Sequence, residues 1–152
     1  MNNFDVKKAL PIIILIVAII VLILNLQVKR EKVLEIVDVG NELAKKDLIV
    51  IVTPRPNDTV KSPLTITGKA RGYWMFEGSF PVLLKDSNGV VIVEHYAMTD
   101  ENWMTEEFVP FTATLEFKNT PTSNKGTLTL KKDNPSGLPE YDDELIIPVS
   151  FE

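Results

Sequence analysis

Leu64-Thr65-Ile66-Thr67-Gly68-Lys69-Ala70-Arg71 is the stretch from which the rest of the chain can be read. In an extended backbone successive side chains point to opposite faces. Leu64, Ile66, Gly68 and Ala70 therefore share one face, and Thr65, Thr67, Lys69 and Arg71 share the other. Phe111, Ala113, Leu115 and Phe117 alternate in the same way with Thr112, Thr114 and Glu116. So do Leu145, Ile147, Val149 and Phe151 with their polar or smaller neighbours at the end of the chain. A helix would repeat its apolar residues every three to four positions, and no long stretch beyond Asp47 does so.

Further strands follow from the same rule over Leu48–Val52, Phe80–Lys85, Val90–Tyr96 and around Leu128 and Leu130. Turn chemistry separates them. Thr53-Pro54-Arg55-Pro56-Asn57-Asp58 is built from prolines and Asx residues. Asp86-Ser87-Asn88-Gly89 is a hairpin signal, because Asn and Gly tolerate positive φ. The pattern predicts about seven short strands, each with one apolar face that needs a partner sheet, hence an all-β antiparallel β-sandwich over residues 47–152. Pro81 and Pro148 fall inside strands, which places them at edges or bulges.

A different signal precedes this region. Residues 10–24 carry no charged or hydrogen-bonding side chain. Lys7 and Lys8 flank the run on one side, and Lys29, Arg30 and Lys32 on the other. As a helix, Leu10 to Val28 would span about 28 Å, close to the hydrocarbon thickness of a bilayer. Each Ile, Leu or Val favours insertion by roughly 0.3–0.6 kcal/mol, so the run as a whole favours the bilayer by several kcal/mol. The Asn-Leu-Gln-Val-Lys-Arg that follows offers no small-residue cleavage site, and a lipoprotein would need a cysteine that the chain lacks. A single N-terminal transmembrane helix over 9–28 is expected, an uncleaved signal anchor in the cell membrane. A cytoplasmic tail over 1–8, a stalk over 29–46 and an extracytoplasmic head complete the order. Basic residues are nearly balanced across the run. Orientation therefore rests on the usual outcome for one N-terminal span: the short tail stays inside and the folded domain is exported.

The chain has 152 residues and a formal net charge of −5. Setting aside the first 28 residues removes Asp5, Lys7 and Lys8, which leaves the remainder slightly more acidic. Bulk charge therefore argues against nucleic acid as a partner. With Cys 0, disulfides, thiolate metal sites and cysteine nucleophiles are excluded together.

The two tryptophans sit in matching segments. Trp74-Met75-Phe76-Glu77 leads to Phe80-Pro81, and Trp103-Met104-Thr105-Glu106 leads to Phe108-Val109-Pro110. Trp74, Phe76, Glu77, Trp103 and Glu106 are accordingly the candidate binding residues, as two aromatic loops with carboxylate handles. The competing reading is that the aromatics plug the sandwich. Of the two carboxylates, Glu77, hemmed by Phe76, Gly78 and Phe80, is expected to be the buried and bonded one.

Asp133-Asn134-Pro135-Ser136-Gly137, with Glu140, Asp142, Asp143 and Glu144 after it, could offer oxygen ligands to calcium. The spacing of a dedicated calcium loop is absent, and Asn-Pro-Ser-Gly reads first as a turn. No metal or cofactor is expected. His95 is the sole histidine, no Gly-x-Ser-x-Gly elbow occurs, and there is no glycine-rich phosphate loop. No catalytic residue is named and the chain is not expected to be an enzyme.

Several segments resemble the immunoglobulin-like domain of bacterial spore-germination-associated envelope proteins. They are Ile51-Val52-Thr53-Pro54, Val60 through Ala70, Trp74 through Val82, Asp86-Ser87-Asn88-Gly89, Trp103-Met104, Phe108-Val109-Pro110-Phe111, Gly126 through Leu130, Asp133 through Gly137, and Ile147-Pro148-Val149. The resemblance covers roughly residues 48–152. It implies an immunoglobulin-like sandwich on the outer face of a bacterial cell, and it implies no active-site residues, since the family is not known as catalytic.

The function expected from these readings is non-catalytic binding or scaffolding at the cell envelope. The membrane and an envelope protein or cell-wall polymer would be the partners. Two alternatives stand beside it. One is an accessory subunit that assembles through its span, although Ala18 alone interrupts the Ile/Leu/Val run with a small residue. The other is a wall-acting hydrolase using Glu77, Asp142 or Asp143.

Overall fold

The computed structural model describes residues 14–25, 37–118 and 123–152. The chain divides into two units, Met1–Val37 and Asp38–Glu152. In the first, residues 14–25 form helix α1, whose Ile, Leu and Val side chains are exposed. No helix among the described residues is long and apolar enough to cross a membrane. The expected span over 9–28 extends beyond α1 at both ends into residues outside those described. The tail over 1–8 and the stalk residues 29–36 lie outside them entirely.

The second unit is all-β apart from a one-turn helix α2 (Glu42–Lys45) and two 3₁₀ turns at Gly72–Trp74 and Pro139–Tyr141. Its strands are β1 (Ile49–Thr53), β2 (Thr59–Val60), β3 (Leu64–Arg71), β4 (Ser79–Asp86), β5 (Val91–Met98), β6 (Phe108–Leu115), β7 (Lys125–Lys131) and β8 (Glu144–Phe151). They form one curled eight-stranded sheet in the order β1-β3-β6-β5-β4-β7-β8-β2. All ladders are antiparallel except β2–β8, which is parallel.

The curl turns one sheet into two facing layers. β1, β3 and β6 make one layer, and β4, β7, β8 and β2 make the other. β5 joins them, paired along its length with β4 but with β6 only at Met98↔Thr112. The apolar rows read from the sequence line the space between. Leu64, Ile66 and Ala70 of β3 and Val109, Phe111, Ala113 and Leu115 of β6 face Phe80, Val82 and Leu84 of β4 and Leu145, Ile147, Val149 and Phe151 of β8 in one buried cluster. Phe80 and Phe111 meet edge to face across the layers, with ring centroids 4.9 Å apart. Each large aliphatic or aromatic side chain so enclosed stabilises the fold by about 1.5–3 kcal/mol.

Gly68 belongs to the inward row for a reason of space. A Cβ there would overlap the Val50 carbonyl oxygen and come within 2.6 Å of the Phe111 ring. The absent side chain is what lets Phe111 lie over β3.

Two features depart from the sequence reading. β2 is an eighth strand, two residues long, which period-two alternation does not reveal. The compact unit also reaches back to Asp38. Gly40 (φ +63) passes so close to β8 that a Cβ would overlap the Ile146 carbonyl oxygen. This brings Asn41 alongside β8, where it acts as a strand would. Its backbone N–H donates to Ile146 O (3.1 Å), its Oδ1 accepts from Ile146 N (2.7 Å), and its Nδ2 donates to Glu144 O (2.9 Å).

Further along the same edge Asn57 N donates to Pro148 O (2.7 Å) and Ser150 N donates to Asp58 O (2.9 Å). Pro148, which lacks an N–H, stands between these partners on the outer side of β8, the edge position its sequence predicts. Pro81 is different. It lies in β4, an interior strand, paired with Tyr96 of β5 but one residue outside the segment matched to β7.

Candidate functional site

Three connections meet at one end of the sandwich: β3–β4 (72–78), β5–β6 (99–107) and β7–β8 (132–143). Backbone bonds hold them together. Gly72 N donates to Glu107 O (3.1 Å), Thr99 N to Gly78 O (3.0 Å), and Asp133 N to Trp74 O (3.0 Å). A Cβ on Gly72 would overlap the carbonyl oxygens of Trp103 and Thr105, so only glycine lets the first two loops approach this closely. Arg71 ties the cluster to the start of β1. Its Nε donates to Asp47 O (3.0 Å), its Nη1 donates to Glu106 O (3.2 Å), and its guanidinium lies 4.1 Å from the Phe108 ring centroid.

The structure separates the candidate residues. Trp74 is fully buried, and its Nε1 has no hydrogen-bond partner. It belongs to the core and cannot present a binding face. Phe76, 42 % exposed, and the half-buried Trp103 come together as an edge-to-face pair with centroids 6.2 Å apart. The pair is seated on Gly78, where a Cβ would stand 3.3 Å from Trp103 Cδ1.

Glu77 corrects its expectation: it is exposed, not buried. It occupies the tip of a two-residue turn with Glu77 at φ +51 and Gly78 at φ +74, closed by reciprocal bonds between Phe76 and Ser79. Left-handed values at both central residues define a turn that points the Glu77 side chain outward at the hairpin tip. Glu106 is also exposed, and neither carboxylate has a hydrogen-bond or ion-pair partner among the described residues.

Two residues that the sequence reading did not select join the surface: Tyr73, 50 % exposed on the 3₁₀ turn, and Met104, 75 % exposed. The signal for Tyr73 was its place between Gly72 and the buried Trp74, in a turn too tight to hide both aromatics. Met104 carried no distinguishing signal, since Met75, at the matching place of the other segment, is buried.

The acidic loop is occupied by its own contacts. Asp142 Oδ1 accepts from Asn134 Nδ2 (2.7 Å), and Asp143 pairs with Lys45. Among the described residues no group of three or more His, Cys, Asp or Glu could hold a metal ion. His95 is exposed on β5, in a cleft with Val93, Glu94, Thr114 and Glu116.

Comparison with known families bears on this arrangement. A family model described as the immunoglobulin-like domain of bacterial spore germination matches residues 48–137, from the start of β1 through the turn after β7. The chain belongs to this family. The match takes in the β3–β4 and β5–β6 loops and ends within the β7–β8 connection, before β8. The family is not known as catalytic. No curated protein and no solved structure matches the chain.

Proposed function

We propose that this chain is a membrane-tethered, extracytoplasmic module that binds, without catalysis, a protein or wall polymer of the bacterial envelope through its three-loop end. The observation that carries the reading is the exposed Phe76–Trp103 pair, with Tyr73 and Met104 exposed on the same two loops. Aromatic rings left half in water at converging loops supply large contact area for little ordering of side chains. Glu77 and Glu106, exposed on the same two loops, offer polar handles. The apolar run at residues 10–24 supports the tether, and membership in a germination-related family supports placement at the envelope.

The test uses the full chain in its native membrane. A Phe76→Ala/Trp103→Ala double variant is expected to remain folded by circular dichroism and to lose cross-linking to envelope components, including isolated wall sacculi. Unchanged cross-linking by a folded double variant rejects the loop-end surface. Protease added to intact cells tests the tether: the head must be cleaved, and a spared head rejects the orientation.

A further inference from the structure

An unpaired strand edge is a row of N–H and C=O groups that another strand can complete, and proteins commonly guard such edges. This head guards two of its edges and leaves a third open. β8 is closed by Asn41, Asn57 and β2. β1 is short, shifts register between Ile51 and Thr53, and has its Ile51 carbonyl taken by Arg55 Nη1 at 2.7 Å. β5 carries no such device over Val93–Ala97. Below the Met98↔Thr112 contact β5 and β6 part, so the side of β5 away from β4 has no ladder partner over Val91–Ala97. The facing side of β6 is unpaired over Ala113–Leu115. β5 contains neither Lys nor Pro, and its one register shift lies at its Val91 end, which leaves Val93–Ala97 regular.

Between the two open edges lies a cleft of about 390 Å³ lined by Val93, Glu94, His95, Thr114 and Glu116. Of the lining residues only Val93 is apolar, and it packs partly buried against the core. Glu94 and Glu116 have no ion-pair partner among the described residues, and no Lys or Arg lines the cleft.

We infer that the β5–β6 opening is a strand-addition site for an extended, basic segment of a partner protein. The backbone of that segment continues the ladder along Val93–Ala97, and its Lys or Arg side chains face Glu94 and Glu116. Main-chain bonds supply the affinity and the carboxylates supply the selection, as in other cases of strand addition. This site shares no residue with the Phe76–Trp103 surface, so either can fail without the other.

The full chain, purified in mild detergent, is titrated with a fluorescein-labelled peptide of alternating Lys and Val. Two control peptides are used: one with Glu in place of Lys, and one N-methylated at alternate residues so that it cannot pair as a strand. The expected result is about tenfold tighter binding of the Lys peptide than of either control. Amide exchange at Val93–Ala97 is expected to slow on binding, and a Glu94→Lys/Glu116→Lys double variant to reverse the charge preference. Absence of binding, affinity indifferent to N-methylation, or unchanged exchange in β5 overturns the inference. So does concentration-dependent self-association that protects β5, which would assign the edge to a second copy of the chain.

Discussion

Trp74-Met75 and Trp103-Met104 begin as the same dipeptide and end in opposite environments. Trp74 and Met75 are 0 % and 3 % exposed, whereas Trp103 is half-buried and Met104 is 75 % exposed. The difference comes from what precedes each pair. Gly72 allows a 3₁₀ turn that folds Trp74 into the space between the layers, with Met75 N bonded back to Gly72 O at 3.0 Å. Trp103 follows Asp100-Glu101-Asn102, a polar stretch without such a turn, so its indole rests on Gly78 and Phe76 at the surface. A local sequence match is thus no guide to role when the chain enters the two segments at different angles.

Substitutions can break this contrast at several strengths. Trp74→Ala empties the largest fully buried site, and a loss of about 3–5 kcal/mol is expected in chemical denaturation. Trp103→Ala removes a half-buried ring and one edge-to-face contact, so about 1–2 kcal/mol is expected by the same measurement. If the two losses proved equal, the division into core and surface would be wrong. Gly78→Ala forces a Cβ into a left-handed backbone and against the Trp103 ring, with an expected loss of about 1–2 kcal/mol in thermal unfolding. Met104→Ala should change stability by less than about 0.5 kcal/mol, while Met75→Ala costs about 2–4 kcal/mol. Fluorescence sharpens the contrast without altering stability much. In a Trp103→Phe protein the remaining Trp74 should emit at short wavelength and resist acrylamide. Adding back Trp103 should restore a quenchable component.

Strands whose inward residues alternate strictly, such as Leu64–Ala70, Phe111–Leu115 and Leu145–Phe151, were legible because burial on one face imposes period two. Three features were not. Thr59–Val60 is too short to show a period, and its partner β8 is remote in sequence. Gly40-Asn41 fell within the expected stalk over 29–46, outside the expected sandwich. The same pair is what lets an amide side chain imitate a peptide group on β8, a role set by the neighbouring strand and not by local preference. Glu77 was misplaced because apolar neighbours imply burial only when side chains share a face. At a hairpin tip with two left-handed residues they do not. The three-loop end itself was half legible: Phe76 and Trp103 were named from the sequence, whereas the separation of Trp74 from them depends on the Gly72 turn.

Asn41 has one more consequence. Its bonds to Glu144 and Ile146, with the Arg55–Glu42 pair beside them (2.6 Å), clip the incoming chain to the last strand before the first strand begins. Tension drawn through Asp38 would meet the Asn57 Nδ2–Asp38 O bond (2.6 Å) and then that clip before it reached Ile49. The fold thereby places a sacrificial latch between any upstream pull and its hydrophobic interior.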